Sequence, residues 1–204
     1  MSAAPLAITL DAWQGPDIAC VLLPADSAFS ILFLHDEGRD LDSVSAAFHA
    51  PELADIRRIA LDLPGHGMSG DCLPDEREAW LGRGLAVLAE RRFAPFVIIG
   101  FGNSAARACR LAAAAPTCGL VAVAPSGALD LAAPPPRAIP LLAFVSGIEA
   151  RAGEHWQRLR DSAGLAWTMI SLPLPSAEIV TPGADAAGII ASHLSGFARE
   201  CSLR

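Results

Sequence analysis

Eight short apolar segments alternate with longer segments of helical spacing, and this alternation constrains the fold of the 204-residue chain. Short segments that are apolar throughout are typical of strands buried on both faces. They predict β-strands at residues 6–10, 18–23, 30–35, 57–62, 96–101, 119–124, 141–146 and 167–172. Because two initial strands are followed by repeated strand and helix units, we expect an α/β fold with a mostly parallel sheet of about eight strands.

Apolar residues spaced three or four apart predict helices between these strands. The segments with this spacing contain Leu81, Leu85 and Leu88, residues 105–115, the set Trp156, Leu159 and Ala163, and the set Ile190, Leu194, Phe197 and Cys201. Thr181 and Pro182 match a helix cap and first-turn pair, so the last helix is predicted to begin there. The Pro-rich connection 125–140 is too short for a separate lid domain. We therefore expect residues 1–204 to form one domain.

The charge and cysteine content argue against several classes of protein. The net charge is −7 and all fifteen basic residues are arginines, whereas nucleic acids and anionic membranes bind clustered cations. The five cysteines are scattered without a CxxC pair, which favours reduced thiols over disulfides or a zinc site. No apolar run approaches the length of a membrane span. We expect a cytoplasmic protein with no cofactor, no metal, no nucleic-acid partner and no membrane partner.

Three sequence motifs occur in a characteristic order and spacing. They are ILFLHDEG at 31–38, RIALDLPGHGMSGD at 58–71 and FVIIGFGNSAARACRLAAAAP at 96–116. In these motifs the chain resembles the α/β-hydrolase superfamily, where such segments form the third strand with its oxyanion turn, a DxPGxGxS loop, and the elbow that presents the nucleophile. The resemblance implies an α/β-hydrolase fold, a three-layer sandwich with a minimal cap or none.

The resemblance also implies that the catalytic triad is degenerate. The family's GxSxG elbow falls on residues 100–104, which places Gly102 at the nucleophile position. The loop that carries the family's histidine base corresponds to residues 172–181 and contains no histidine. Glu149 lies near the position of the acid. Glycine at position 102 removes the nucleophile and adopts the strained elbow backbone without the Cβ penalty.

Two carboxylates follow the third strand, where the family has its oxyanion turn. The HG pair of the family is replaced by His35 and Asp36, and Glu37 comes next. At about 5 Å and an effective dielectric constant near 20, each carboxylate opposes an oxyanion by about 3 kcal/mol. The predicted pocket contains Asp36, Glu37, Asn103 and Ser104, with the backbone N–H groups of the last two open to a ligand acceptor.

Three functions are compatible with these residues. In the first, the chain is a pseudoenzyme that has lost serine-hydrolase activity and binds a small molecule or a protein partner. In the second, it is an esterase or thioesterase that uses Ser104 as nucleophile, His35 as base and Asp36 to orient the base. In the third, it is a nonhydrolytic acid–base enzyme that uses His35, Asp36 and Glu37. We favour the first, because helical geometry directs Ser104 away from the pocket.

Overall fold

The computed structural model describes residues 4–10, 17–125, 139–149 and 167–203, and one eight-stranded sheet lies at its centre. The strands are β1 (Leu6–Leu10), β2 (Ile18–Leu23), β3 (Ser30–Leu34), β4 (Arg57–Leu61), β5 (Phe96–Phe101), β6 (Thr117–Val123), β7 (Leu141–Ser146) and β8 (Trp167–Leu172). Their order in the sheet is β1-β2-β4-β3-β5-β6-β7-β8. β2 runs antiparallel to its neighbours β1 and β4, and the other neighbouring pairs are parallel. The predicted mostly parallel α/β sheet is confirmed.

Helices cover both faces of the sheet. They are α1 (Ser45–Phe48), α2 (Arg77–Glu90), α3 (Ser104–Ala114), α4 (Ser176–Val180) and α5 (Ala184–Ser202), with short 3-10 turns at Leu41–Val44 and Pro51–Leu53. One apolar core packs the sheet against α1 and α5, and a second packs the other face against α2 and α3. The described residues thus form the expected three-layer sandwich and contain no separate cap domain. None of the described helices is long and apolar enough to cross a membrane.

The last helix begins later than predicted. Residues 176–180 form α4 and Gly183 caps α5, so the long helix starts at Ala184 instead of at Thr181 and Pro182. Thr181 still donates its N–H to Ala177 O of α4 over 3.4 Å, and the chain must turn before a second helix can begin. The predicted helix that contains Trp156, Leu159 and Ala163 lies outside the described residues.

The carboxyl ends of the parallel strands meet at one edge of the sheet, which is where ligands bind in open α/β folds. β3 ends directly before His35, and β5 ends directly before Gly102. The two strands are neighbours, with Leu34 paired to Gly100. The sheet therefore brings the turn after β3 next to the turn after β5, which the sequence motifs assign to the site.

Candidate functional site

The turn between β5 and α3 has the tight geometry of a strand–turn–helix elbow. Gly102 has a φ of +56°, a left-handed conformation that favours glycine. Its N–H donates to Val123 O over 2.9 Å, and its carbonyl accepts from Ala105 N–H over 3.2 Å. A Cβ on Gly100 would lie 2.2 Å from Ser104 O, so α3 lies too close to this position for any side chain. The elbow backbone therefore requires glycine at position 100 and is free of Cβ strain at position 102.

The carboxylate of Asp36 occupies the space in which a side chain at position 102 would begin. A Cβ built on Gly102 would lie 2.3 Å from Asp36 Cγ, 2.4 Å from Oδ1 and 2.6 Å from Oδ2. Nonbonded heavy atoms normally pack about 3.5–4 Å apart. A serine nucleophile at position 102 and the present position of Asp36 therefore exclude each other.

The same carboxylate binds the backbone donors around it. Asp36 Oδ1 accepts the N–H of Asn103 over 2.7 Å and the N–H of Glu37 over 2.9 Å. In an α/β-hydrolase elbow, the backbone N–H that follows the nucleophile is an oxyanion donor, and Asn103 supplies this N–H here. The expectation that the N–H of Asn103 is open to a ligand acceptor is wrong, because it donates to the protein's own carboxylate.

Ser104 and His35 are not arranged as a nucleophile and its base. The buried Ser104 hydroxyl donates to His35 O over 2.6 Å. The His35 ring is also buried, and its Nε2 accepts the N–H of Leu63 over 3.0 Å. Nδ1 therefore carries the proton and donates to Asp36 O over 2.8 Å. Because both ring nitrogens are bound to backbone groups, the predicted alternative set of Ser104, His35 and Asp36 is not assembled.

Burial lowers the pKa of His35 and keeps its ring neutral. A hydrogen bond to Asp36 O and the charges of Asp62 and Asp40 act in the opposite direction, and His66 adds to the lowering. The unfolded ring takes up a proton near its ordinary pKa of 6.5, whereas the folded ring does so only at lower pH. We therefore expect the free energy of unfolding to fall as the pH drops below about 7, by up to about 1.4 kcal/mol per pH unit. Urea titrations at a series of pH values measure this slope.

His35→Gln and His49→Gln are the paired variants for this measurement. His35→Gln removes the buried ring and should flatten the slope between about pH 5 and 7, even though it lowers stability overall. His49→Gln removes an exposed imidazole instead and controls for the substitution itself. An equal slope in both variants would show that His35 is not the titrating group.

Asp62 and His66 hold the loop that follows β4. Asp62 is 2 % exposed; its Oδ1 accepts the N–H of Leu41 over 3.0 Å, and its Oδ2 accepts the N–H of Met68 over 2.9 Å. His66 Nε2 accepts the N–H of Gly38 over 3.0 Å. These contacts tie the loop after β4 to the backbone that follows β3. In this chain residues of the DxPGxGxS motif therefore hold the loops beside the candidate site in place.

The carboxylate of Glu37 faces two arginines on the neighbouring helices. Glu37 Oε1 lies 3.6 Å from Arg77 and 4.0 Å from Arg107. Arg77 also pairs with Asp71 at 3.3 Å, and Arg107 pairs with Glu78 at 3.0 Å. The motifs do not identify these arginines; the only signal in the sequence is the position of Arg107 in the first turn of the elbow helix. Within the described ranges, no three His, Cys, Asp or Glu side chains group together as a metal site.

Glu149, the predicted remnant of the acid, binds a serine. Its Oε1 accepts the N–H of Ser176 over 2.8 Å, and its Oε2 accepts the Ser176 hydroxyl over 2.7 Å. The hydrogen bond from the Ser176 hydroxyl lowers the pKa of the exposed Glu149 carboxyl most, and the hydrogen bond from the Ser176 N–H lowers it further. Ser176 begins α4 in the loop after β8, where the resemblance places the family's histidine base. The contact links the loops after β7 and β8, and both of its members, Glu149 and Ser176, lack an imidazole.

Solved structures share this architecture over nearly their whole length. A protein described as a predicted CIB-like hydrolase from Thermoplasma acidophilum has a TM-score of 0.77 and 15 % identity, with 95 % of this chain and 99 % of that chain covered. Dienelactone hydrolase from Anabaena variabilis has a TM-score of 0.77 and 14 % identity, with 97 % of each chain covered. The bottromycin epimerase BotH, solved in complex with bottromycin A2, has a TM-score of 0.70 and 12 % identity, with 94 % of this chain and 98 % of that chain covered. No protein-family model and no curated protein matches the sequence. The chain has the α/β-hydrolase fold.

Proposed function

We propose that this chain is a binding protein of the α/β-hydrolase fold, for a small molecule or a protein partner, and that it does not carry out serine-dependent hydrolysis. The position of Asp36 carries the proposal. Its carboxylate fills the space of the nucleophile side chain beside Gly102 and binds the N–H of Asn103. Acyl transfer needs a nucleophile in the space beside Gly102 and a free hydrogen-bond donor at the N–H of Asn103.

Electrostatics at the elbow also oppose acyl transfer. A tetrahedral intermediate would carry negative charge beside the Asp36 carboxylate, and two unit charges about 4 Å apart repel by about 4 kcal/mol at an effective dielectric constant of 20. The N–H of Asn103 is already bound, and loss of one oxyanion donor lowers kcat by a factor of about 10² to 10³. Both effects destabilise the transition state that a serine hydrolase must stabilise.

The described loops offer no group in position to activate a serine. Both ring nitrogens of His35 are bound to backbone groups. Glu149 binds Ser176 where an acid would orient a histidine base. A serine hydroxyl without a base is a weak nucleophile at neutral pH. The loss of the nucleophile is therefore accompanied by the loss of the groups that would activate one.

Activity-based labelling tests the proposal. We expect no labelling of the purified protein by a fluorophosphonate probe, and no hydrolysis of p-nitrophenyl acetate or an acyl thioester above the buffer rate. An active serine hydrolase of the same fold, treated in parallel, shows that the probe and the esters are competent. Labelling that is lost in Ser104→Ala would establish Ser104 as a nucleophile and overturn the proposal in favour of the esterase or thioesterase alternative.

One observation supports the nonhydrolytic acid–base enzyme as a second candidate. Asp36 Oδ2 accepts no hydrogen bond from the described residues, in contrast to Oδ1, so it can take a proton from a substrate. A protein of similar fold is described as an epimerase. Of the other two predicted groups, His35 has no free ring nitrogen and Glu37 is paired with Arg77 and Arg107, which leaves Asp36 as the base. Turnover that survives Ser104→Ala and is lost in Asp36→Asn would support this candidate over the binding protein.

A further inference from the structure

We infer that the site binds a small molecule through a protonated amine, with Asp36 Oδ2 as the atom that holds the nitrogen. The inference rests on the proposed function, because it assigns a ligand class to the same site. It follows from the hydrogen bonds of the Asp36 carboxylate, from the lack of a cationic partner for it among the described residues, and from its place at the edge of the sheet where ligands bind in open α/β folds.

Among the described residues, one carboxylate oxygen of Asp36 accepts two hydrogen bonds and the other accepts none. Oδ1 accepts the N–H groups of Glu37 and Asn103, which uses both of its lone-pair directions. Oδ2 accepts no hydrogen bond from the residues that the structure describes. A charge-assisted hydrogen bond is about twice as strong as a hydrogen bond between neutral groups. Oδ2 is therefore a strong acceptor that remains available to a donor on a ligand.

Among the described residues, the Asp36 carboxylate has no cationic partner, in contrast to the carboxylate of its neighbour Glu37. Glu37 lies within 4.0 Å of Arg77 and Arg107, whereas no cationic side chain of the described residues forms an ion pair with Asp36. The Asp36 carboxylate is half-buried against Gly102, where solvent screens a charge less than it does at an open surface. A cation on the ligand would compensate this fixed negative charge.

This arrangement inverts the polarity of the hydrolase elbow. In the active elbow, backbone donors face the site and receive a negatively charged oxygen. Here the protein itself supplies the anion, and the N–H of Asn103 points at it. A carboxylate or carbonyl oxygen on a ligand would meet Oδ2 and be repelled. The ligand group that fits is a positively charged donor.

The single open oxygen selects an ammonium over a guanidinium. A guanidinium binds a carboxylate best through two parallel N–H···O bonds, one to each oxygen. Asp36 Oδ1 already accepts two backbone N–H groups and cannot serve as the second acceptor. An ammonium is a compact point charge for which one oxygen suffices. The net charge of −7 further favours the approach of a cation.

A titration of the full chain followed by ¹H–¹⁵N NMR tests the inference. The backbone amides of Glu37 and Asn103 report on the site, since both donate to Asp36. We expect benzylammonium to shift them saturably and to bind about tenfold or more tightly than benzyl alcohol or benzoate. Benzyl alcohol has a shape similar to that of benzylammonium but no charge, and benzoate carries the opposite charge. Benzylguanidinium carries a planar group with two parallel N–H donors and should bind more weakly than benzylammonium.

Asp36→Asn and Asp40→Asn form the matched pair of variants. Asp36→Asn places an N–H₂ donor at the position of Oδ2 and should weaken benzylammonium binding about tenfold or more. Asp40 is exposed, so Asp40→Asn should leave the affinity for benzylammonium unchanged. Equal affinity in Asp36→Asn, benzoate binding as tight as benzylammonium, or no saturable shift would each overturn the inference. If Asp36→Asn does not fold, the relative affinities of benzylammonium, benzyl alcohol and benzoate for the unmodified protein test the inference. These results leave the proposed function standing, since that proposal fails only on labelling or turnover.

Discussion

Gly102→Ser is expected to lower the free energy of unfolding by about 3 kcal/mol. A serine at a φ of +56° is strained, which costs about 1 kcal/mol or more, and its Cβ would lie 2.3 Å from Asp36 Cγ. Asp36 must then rotate away, so the N–H groups of Glu37 and Asn103 lose a charged acceptor. Equilibrium unfolding in urea measures the loss.

Gly82→Ser is the matched control for this substitution. Gly82 lies in α2, and a Cβ there meets no atom within 4 Å. Serine has a higher helix propensity than glycine, so this variant should be as stable as the unmodified protein or slightly more stable. If Gly102→Ser matched Gly82→Ser in stability, the contact between Asp36 and Gly102 would be wrong.

Asp36→Gly combined with Gly102→Ser separates the collision from the backbone strain. Removal of the Asp36 carboxylate relieves the collision and leaves the strain in place. The double variant should therefore lose less stability than the sum of the two single variants, by about 1 kcal/mol or more. If the losses in the free energy of unfolding were additive, the Asp36 carboxylate and the side chain at position 102 would not be in direct contact. The serine introduced at position 102 should stay unlabelled by a fluorophosphonate, because no imidazole among the described residues is placed to activate it.

The sheet can be predicted from the sequence because each central strand is a short apolar run with few polar interruptions. All six residues of β5 are buried, and such a run fits a strand covered on both faces better than an amphipathic helix. The start of the last helix could not be predicted in this way. The short helix α4 and the cap at Gly183 come before it, and α4 itself begins at Ser176, which Glu149 binds from 27 residues away, a contact that leaves no local pattern.

The neighbouring turns after β3 and β5 could be predicted from the motifs, but the position of the Asp36 carboxylate within them could not. The sequence shows that Gly102 has no side chain and does not show which group fills the space. Asp36 lies 67 residues before Asn103, and the direction of its carboxylate depends on backbone donors that only the folded turns bring together. For Ser104, helical periodicity predicts a hydroxyl directed away from the pocket, and in the structure this hydroxyl is buried and donates to His35 O.

Asp62→Ala is expected to lower the free energy of unfolding by about 3 kcal/mol. The carboxylate is buried and accepts the N–H groups of Leu41 and Met68, one on each oxygen. Charge-assisted hydrogen bonds contribute about 1.5–3 kcal/mol each, and alanine leaves both donors without an acceptor. Asp62→Asn should be nearly as harmful, because its N–H₂ group would face one of the two N–H groups. Urea unfolding measures stability, and hydrogen exchange at the two amides measures the local loosening.

Asp71→Ala is the control for the charge change in the same loop. Asp71 is exposed and pairs with Arg77 at the surface, so its loss should cost less than about 1 kcal/mol. Since Asp62 ties the loop after β4 to the backbone that follows β3, its removal should also free the turn that holds Asp36. Exchange should then accelerate strongly at Leu41 and Met68 and by a smaller factor at Asn103. If Asp62→Asn matched the unmodified protein in stability and in exchange at these amides, the structural role assigned to the DxPGxGxS motif would be wrong.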